Sequence, residues 1–337
     1  LEAKYSPLLI GSLPLSAVKK AIEAVFLSCP NTPSWPQLPK LSPFEGMNLQ
    51  YLEGVPGWQI LEDSVIFKQS QHILDELSNT LEKVLNEDTN SFAITEKHSV
   101  CINPFLERLK KTENVKIVKG QVIGPVTFLT SHKIKEFGML IKDEGYRELI
   151  PRILRLKAKY QIEKFKEVKP ESDIIIFFDE PILSQIGSAV TSINKEDVSE
   201  LITTATETLE CYKGVHICGN SDWDFILSLP IDIINFDTFN YGENFLLYKD
   251  AISKFVSQGG YIAAGLIPTD SESLNKTSEE MILNKTEQFI RSLREIIGAD
   301  KVEKKVFITP SCGMGALTED EANKAMELLR KVSKKLF

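Results

Sequence analysis

Asp173-Ile174-Ile175-Ile176-Phe177-Phe178-Asp179-Glu180-Pro181 decides how the rest of this chain is read. Five β-branched or aromatic residues stand in a row, bounded by acids and stopped by a proline. A short run that is apolar at every position, not at alternate ones, reads as a strand buried on both faces. That is the condition of a parallel sheet covered by helices. Asp179-Glu180-Pro181 then lies at the C-terminal end of a strand.

The same unit recurs in both directions from there. Residues 115–123, 214–218, 232–236, 260–266 and 305–308 read as further buried strands, and 7–13 as the first. Amphipathic, charged stretches at 143–167, 195–211, 243–258, 278–297 and 318–335 fit helices between and after them, with another helix at 16–27. Thr318 with Glu321 three residues on is a capping box for the last helix. The proline-rich stretch 29–43 reads as a loop. Ile73, Leu77, Leu81 and Leu85 repeat every four residues and suggest a helix over 65–85. If 49–52 is granted as a short strand, eight strands are counted. The expectation is an α/β fold: a single (β/α)8 TIM barrel domain over residues 1–337, with a loop insertion around 28–60.

Bulk properties agree. The chain has 337 residues, 42% hydrophobic and 26% charged, an ordinary globular mixture that needs no staples. Its net charge of −8 argues against nucleic-acid and anionic-membrane partners, which call for basic patches. No apolar run is long enough to span a bilayer, and no cationic segment followed by an apolar stretch marks a signal peptide. Five cysteines, an odd and small number, argue against a disulfide framework and for a reducing cytoplasm.

Polar residues gather directly after the expected strands: Ser12, Gly124-Pro125-Val126-Thr127, Asp179-Glu180-Pro181, His216 with Cys218, Asp237 and Cys312. In a parallel barrel these ends open on one face, where active sites lie. His216 and Cys218, two residues apart on a strand, point the same way. Imidazole and thiolate together suit Zn2+, with Cys312 and the carboxylate of Asp237 as further ligands. Each feature alone has a plainer explanation. A cysteine at a strand end is usually a small core residue, and Asp-Glu-Pro can be a helix cap. Their joint placement on one face is what favours a metal. Cys29, Cys101 and Cys211 show no partner spacing and read as structural. His72, His98 and His132 read as surface or packing residues, and Gly259-Gly260 as a turn, not a phosphate loop.

These pieces carry a resemblance. Ile10-Gly11-Ser12-Leu13-Pro14, Gly120-Gln121-Val122-Ile123-Gly124-Pro125-Val126-Thr127, Asp179-Glu180-Pro181, His216-Ile217-Cys218, Ile234-Asn235-Phe236-Asp237 and Pro310-Ser311-Cys312-Gly313 follow one another in the order of a known family. The chain resembles the C-terminal catalytic barrel of cobalamin-independent methionine synthase, within the uroporphyrinogen decarboxylase-like superfamily. The resemblance implies zinc held by His216, Cys218 and Cys312, with Asp237 at a position where the family has glutamate; Glu243, six residues on, is a substitute. It implies an amino-acid pocket of Ser12, Glu45 and Asp179, and methylation of homocysteine to methionine.

Two departures bear on the methyl donor. The folate-using enzymes are about twice as long, and they carry a histidine after the seventh strand that assists the folate leaving group. Here that stretch is Gly265-Leu266-Ile267-Pro268-Thr269-Asp270, without histidine. The resemblance therefore points to methylcobalamin or a methylated corrinoid protein before methyltetrahydrofolate, since a cobalt–methyl bond needs no acid for its leaving group. Rival readings are transfer to another thiol such as coenzyme M, and a non-catalytic barrel that holds zinc or binds a corrinoid protein. Uroporphyrinogen decarboxylase activity is disfavoured, because it uses N-terminal arginines and the first arginine here is Arg108.

Overall fold

The computed structural model describes residues 1–61, 64–135, 137–186 and 193–336. In chain order the described strands are β1 (Trp58–Leu61), β2 (Ser64–Phe67), β3 (Ile117–Ile123), β4 (Lys133–Ile134), β5 (Gly138–Met139), β6 (Asp173–Asp179), β7 (Tyr212–Ile217), β8 (Ile233–Phe236), β9 (Tyr261–Ile267) and β10 (Val306–Pro310). Six form one curled parallel sheet in the order β10-β9-β8-β7-β6-β3. The apolar runs read from sequence are these strands, and every residue of β3, β9 and β10 is buried. Alternation sorts their side chains. Leu8, Ile117, Ile175, Phe177, Ile233 and Phe307 form one apolar cluster inside the curl. Ile174, Ile176, Phe178, Val215, Ile262 and Ile308 join the larger cluster with the outer helices.

Two extended segments lie between the edges of this sheet. Pro7 pairs with Ile308 of β10, Ser34 with Lys119 of β3, and Ser12 with Gln37, all in parallel. The backbone bonds are Leu8 N–H to Ile308 O (3.0 Å), Trp35 N–H to Lys119 O (2.9 Å) and Leu13 N–H to Gln37 O (2.9 Å). The second segment lies in the proline-rich stretch expected to be a loop. Pro33 and Pro36 are tolerated because the donors used are Trp35 and Gln37, while Pro33 only accepts, from Lys119 N–H.

The N-terminal third corrects other expectations. Residues 49–52 are not a strand: Met47–Gln50 is a short helix after Gly46, because four mixed residues carry no period that tells strand from helix. The helix expected over 65–85 begins only at Leu74, and its four-residue repeat follows the buried face only in its first half. Ile73 is buried and Leu77 packs against the core, but Leu81 and Leu85 are exposed, and Thr80 and Val84 continue the covered face. The β-branched Val65 and Ile66 instead belong to β2, antiparallel to β1 in a separate small sheet with β4 and β5. The helix expected at 243–258 is two, Thr238–Phe245 and Lys249–Ser257. The last helix runs Glu319–Leu336, and its capping box is formed: Thr318 N–H donates to Glu321 Oε2 (2.9 Å) and Glu321 N–H to Thr318 Oγ1 (3.2 Å). Among the described residues no helix is long and apolar enough to cross a membrane.

Candidate metal and substrate site

The parallel register sets the site. Asp179 of β6 stands opposite His216 of β7, and His216 opposite Asn235 of β8. Cys218 follows β7 by one residue and Cys312 follows β10 by two. His216 Nε2 lies 3.1 Å from Cys218 Sγ, and the two sulfurs lie 3.2 Å apart. The three donor atoms all fall within 4.8 Å of one another. The sulfurs share one hydrogen bond, so only one of them readily carries charge. Cys312 is drawn down to about 4, chiefly by its hydrogen bond with Cys218 and further by His216, against the cost of burial. Cys218 is pushed up by the same bond. Burial disfavours a charged His216, yet Cys312, Asp179 and Asn235 outweigh it and hold the ring above its usual value.

His216 is aimed by a residue to which sequence reasoning gave no role. Asn235 is fully buried, and its Oδ1 lies 2.5 Å from His216 Nδ1. Its Nδ2 donates to Ala263 O (2.7 Å) and Thr309 Oγ1 (2.8 Å). The available signal was parity: Asn235 and Asp237 are polar at alternate positions of an otherwise apolar strand run, so they share a side.

A cavity of about 460 Å³ joins this cluster to the expected amino-acid pocket. Ser12, Glu45, Asp179, His216, Cys218 and Cys312 all line it, and among the described residues no lysine or arginine does. Asp179 is 5% exposed, and its buried Oδ1 has no hydrogen-bond partner. Burial raises its carboxyl to about 6, with His216 and Lys119 pulling it back toward the charged form. Glu45 sits in the turn Pro43–Glu45 and differs in its bonding. Its Oε2 accepts from Leu38 N–H (3.1 Å) and its Oε1 from Val100 N–H (2.5 Å). Burial raises it too, opposed by those two amides. Ser12 Oγ accepts from Gly315 N–H (3.3 Å). A Cβ on Gly313 would come within 2.1 Å of that oxygen, so the glycine after Cys312 lets Ser12 approach.

Two expected residues stand apart from the cluster. Asp237 caps its own helix: Oδ1 accepts from Asn240 N–H (3.0 Å) and Oδ2 from Asn240 Nδ2 (2.7 Å). Its carboxylate is outside the three-donor group. Glu243 lines a different cavity of about 280 Å³, with Lys285 and Gln288.

Two sequence motifs prove to be one structural unit. Glu180 accepts from Val126 N–H (2.9 Å), Thr127 N–H (2.8 Å) and Thr127 Oγ1 (2.6 Å), capping the helix Pro125–Ser131 from the neighbouring strand. A Cβ on Gly124 would lie 2.1 Å from the Glu180 carboxyl carbon. Glu180 thus does not cap the turn that follows it, Pro181–Gln185, but a helix of the neighbouring unit, while Asp179 beside it faces the cavity. Cys29 and Cys101 are buried and Cys211 partly so; burial pushes each thiol up to about 12. His98 and His132 are packed inside, bonded to Leu49 O (3.1 Å) and Phe128 O (2.9 Å), and His72 is exposed.

No family model matches the chain, and no curated protein does. Solved structures share its fold. A B12-independent methionine synthase from Shewanella sp. W3-18-1, in complex with selenomethionine, matches at a TM-score of 0.50 and 19% identity, over 68% of this chain and 66% of that one. The match thus spans a little under two thirds of that relative. A putative vitamin-B12-independent methionine synthase from Listeria monocytogenes matches at 0.57 and 14% identity, over 95% of this chain and 86% of that one. A methyltransferase from Methanosarcina mazei matches at 0.52 and 13% identity, over 93% and 83%.

Proposed function

We propose that the chain is a zinc-dependent methyltransferase that converts homocysteine to methionine, taking the methyl group from methylcobalamin or a methylated corrinoid protein. In this reading residues 1–337 are one catalytic (β/α)8 barrel, with the segments at 7–13 and 31–37 as the two staves that complete the six-stranded sheet. One observation carries the functional proposal: a single cavity holds His216, Cys218 and Cys312 together with the unpartnered oxygen of Asp179.

The donor set fits zinc. One imidazole and two thiols are borderline-soft ligands in the number that leaves a position for substrate. His216, Cys218 and Cys312 would hold the ion, while Asp237, with both oxygens engaged by Asn240, is assigned the helix cap. A zinc ion held there would supply the Lewis acidity that keeps a substrate thiol deprotonated near neutral pH.

The protein's own groups place the amino acid. Asp179 Oδ1, buried and without a partner, is an acceptor for the substrate ammonium, and Glu45 adds negative charge on the same side. Ser12 Oγ and the backbone at Gly313 and Gly315 face the same cavity and would take the carboxylate. Two acids and no cation in the lining favour an ammonium-bearing thiol over a sulfonate such as coenzyme M. In the transfer, a sulfur lone pair forms the new sulfur–carbon bond. The electron pair of the donor–methyl bond departs with the donor, and the thiol proton goes to solvent. The enzyme contributes position more than acid catalysis. That agrees with the stretch Gly265 to Asp270, which has no histidine to protonate a folate leaving group.

The test is methionine formation by the zinc-loaded full chain from homocysteine, with methylcobalamin and methyltetrahydrofolate offered in parallel. Product from methylcobalamin alone is the expected result. Product from methyltetrahydrofolate alone overturns the donor. Turnover of coenzyme M but not homocysteine overturns the acceptor.

A further inference from the structure

We propose that Asn235 is the positioning residue that locks neutral His216 in the tautomer protonated at Nδ1, so that the lone pair of Nε2 is directed toward Cys218 and Cys312. The proposal rests on the metal assignment above, but its structural core does not need the metal.

The bonding of Asn235 leaves one assignment. Nδ2 meets two oxygens, Ala263 O and Thr309 Oγ1. The backbone carbonyl can only accept. The Thr309 hydroxyl donates its single proton to Pro310 O (2.8 Å), so it too presents a lone pair to Asn235. Both contacts demand a donor, which fixes the amide nitrogen there and the amide oxygen toward His216. That oxygen accepts from Nδ1, and a neutral imidazole with its proton on Nδ1 has its lone pair on Nε2. Nε2 is the nitrogen that faces Cys218 Sγ at 3.1 Å.

The strands make this arrangement rigid. Asn235 is registered against His216 on one side and Ala263 on the other, and Thr309 lies one strand further, on β10. Its side chain therefore reaches across β9 to β10. The small side chain of Ala263, fully buried in the interior cluster, leaves room for that reach. A neutral carboxamide orients the ring without adding a negative charge beside two thiols, which a carboxylate in the same role would do.

The experiment uses the full chain and two readouts. The first is the 15N spectrum of histidine-labelled, metal-free protein, at a pH alkaline enough to leave the rings neutral. With four histidines in the chain, His216 is assigned by comparison with His216→Gln. Wild type is expected to show His216 as a single Nδ1-protonated form. Asn235→Leu, close in volume but without the acceptor, is expected to show mixed tautomers. The second readout is zinc affinity by competition with a chromogenic chelator, where Asn235→Leu should weaken binding about 10–100-fold. Thr309→Val frees one amide proton of Asn235 but spares the bond to Ala263. It is a gentler variant should Asn235→Leu not fold, and it should lower affinity by less. Unchanged tautomer and unchanged affinity in whichever variant folds overturn the proposal. A locked tautomer in a wild type that binds no zinc would instead leave Asn235 in its role and overturn the metal reading.

Discussion

The region from β3 to Cys312 and the first seventy residues line the same cavity by different means. The first supplies Asp179, His216, Cys218 and Cys312 on strands or within two residues of a strand end. The second supplies Ser12 from an extended segment with isolated pairings and Glu45 from a one-turn helix. A ladder holds its side chains without using their polar atoms, so Asp179 can keep an oxygen free. A turn has no ladder, and Glu45 is fixed by giving both oxygens to backbone amides. Strand-borne groups are thus available for chemistry, and loop-borne groups are partly consumed by holding their own loop.

The largest test of that contrast is at the proposed metal ligands. Cys218→Ser and Cys312→Ser are each expected to lose zinc affinity by more than about 100-fold, beyond what an outer-shell change costs, and methyl transfer with it. Asp237→Asn should keep zinc to within a few-fold, because its oxygens serve Asn240. Metal content after dialysis against a weak chelator decides. If Asp237→Asn empties as readily as the cysteine variants, the carboxylate is a ligand.

The two acids sharpen it next. Asp179→Asn removes the charge from an oxygen with no other duty and should raise KM for homocysteine about 10–100-fold, the scale of one charged hydrogen bond. Glu45→Gln turns an amide donor against Leu38 N–H or Val100 N–H. It should cost about 1–3 kcal/mol of stability, with a smaller change in KM. Steady-state kinetics and urea unfolding on both variants separate the roles. Equal KM effects at equal stability would erase the distinction.

The same contrast explains what could be read from the sequence. The six strands of the main sheet were legible because burial on both faces demands unbroken apolar runs, and the convergence of His216, Cys218 and Cys312 was legible because those runs fix where strands end. The segment at 31–37 was not, because Thr32, Pro33 and Pro36 spell a loop. Only the pairing shows that the prolines fall where no donor is needed. The helix expected over 65–85 misled because a four-residue repeat drifts around a helix of 3.6 residues per turn, from the covered Ile73 and Leu77 to the exposed Leu81 and Leu85. The metal role expected of Asp237 came from its place after a strand and from the resemblance, and Asn240, three residues on, is a local partner that neither weighs.

A third prediction concerns packing within the β3–β6 unit. Gly124→Ala places a methyl group 2.1 Å from the Glu180 carboxyl carbon, in a fully buried environment. The side chain must shift and release amides of the helix Pro125–Ser131. A loss of about 1–3 kcal/mol in urea unfolding is expected, with zinc affinity unchanged. A loss of zinc at intact stability would mean that Glu180 supports the metal site and not only the helix.

The smallest effect lies where the two regions are tied together. Lys157, on the helix Glu144–Val168, is fully buried and donates to Glu53 O (2.6 Å) in the N-terminal region and to Phe92 O (3.3 Å) in the stretch that joins the two regions. Burial pulls its amine down to about 7 from the ordinary 10.5, with Glu53 opposing. Between those values the unfolded chain holds a proton that the folded chain has released, so this residue makes the fold more stable as pH rises through that window. Lys157→Met removes the effect and leaves two carbonyls without their donor. The variant should be less stable than wild type near pH 7, and the gap should widen toward about pH 10. A gap that stays constant in urea midpoints across the window would mean that Lys157 keeps its charge when folded. The tie between the two regions would then be an ionic one, made to Glu53 as a charge and not only to its backbone.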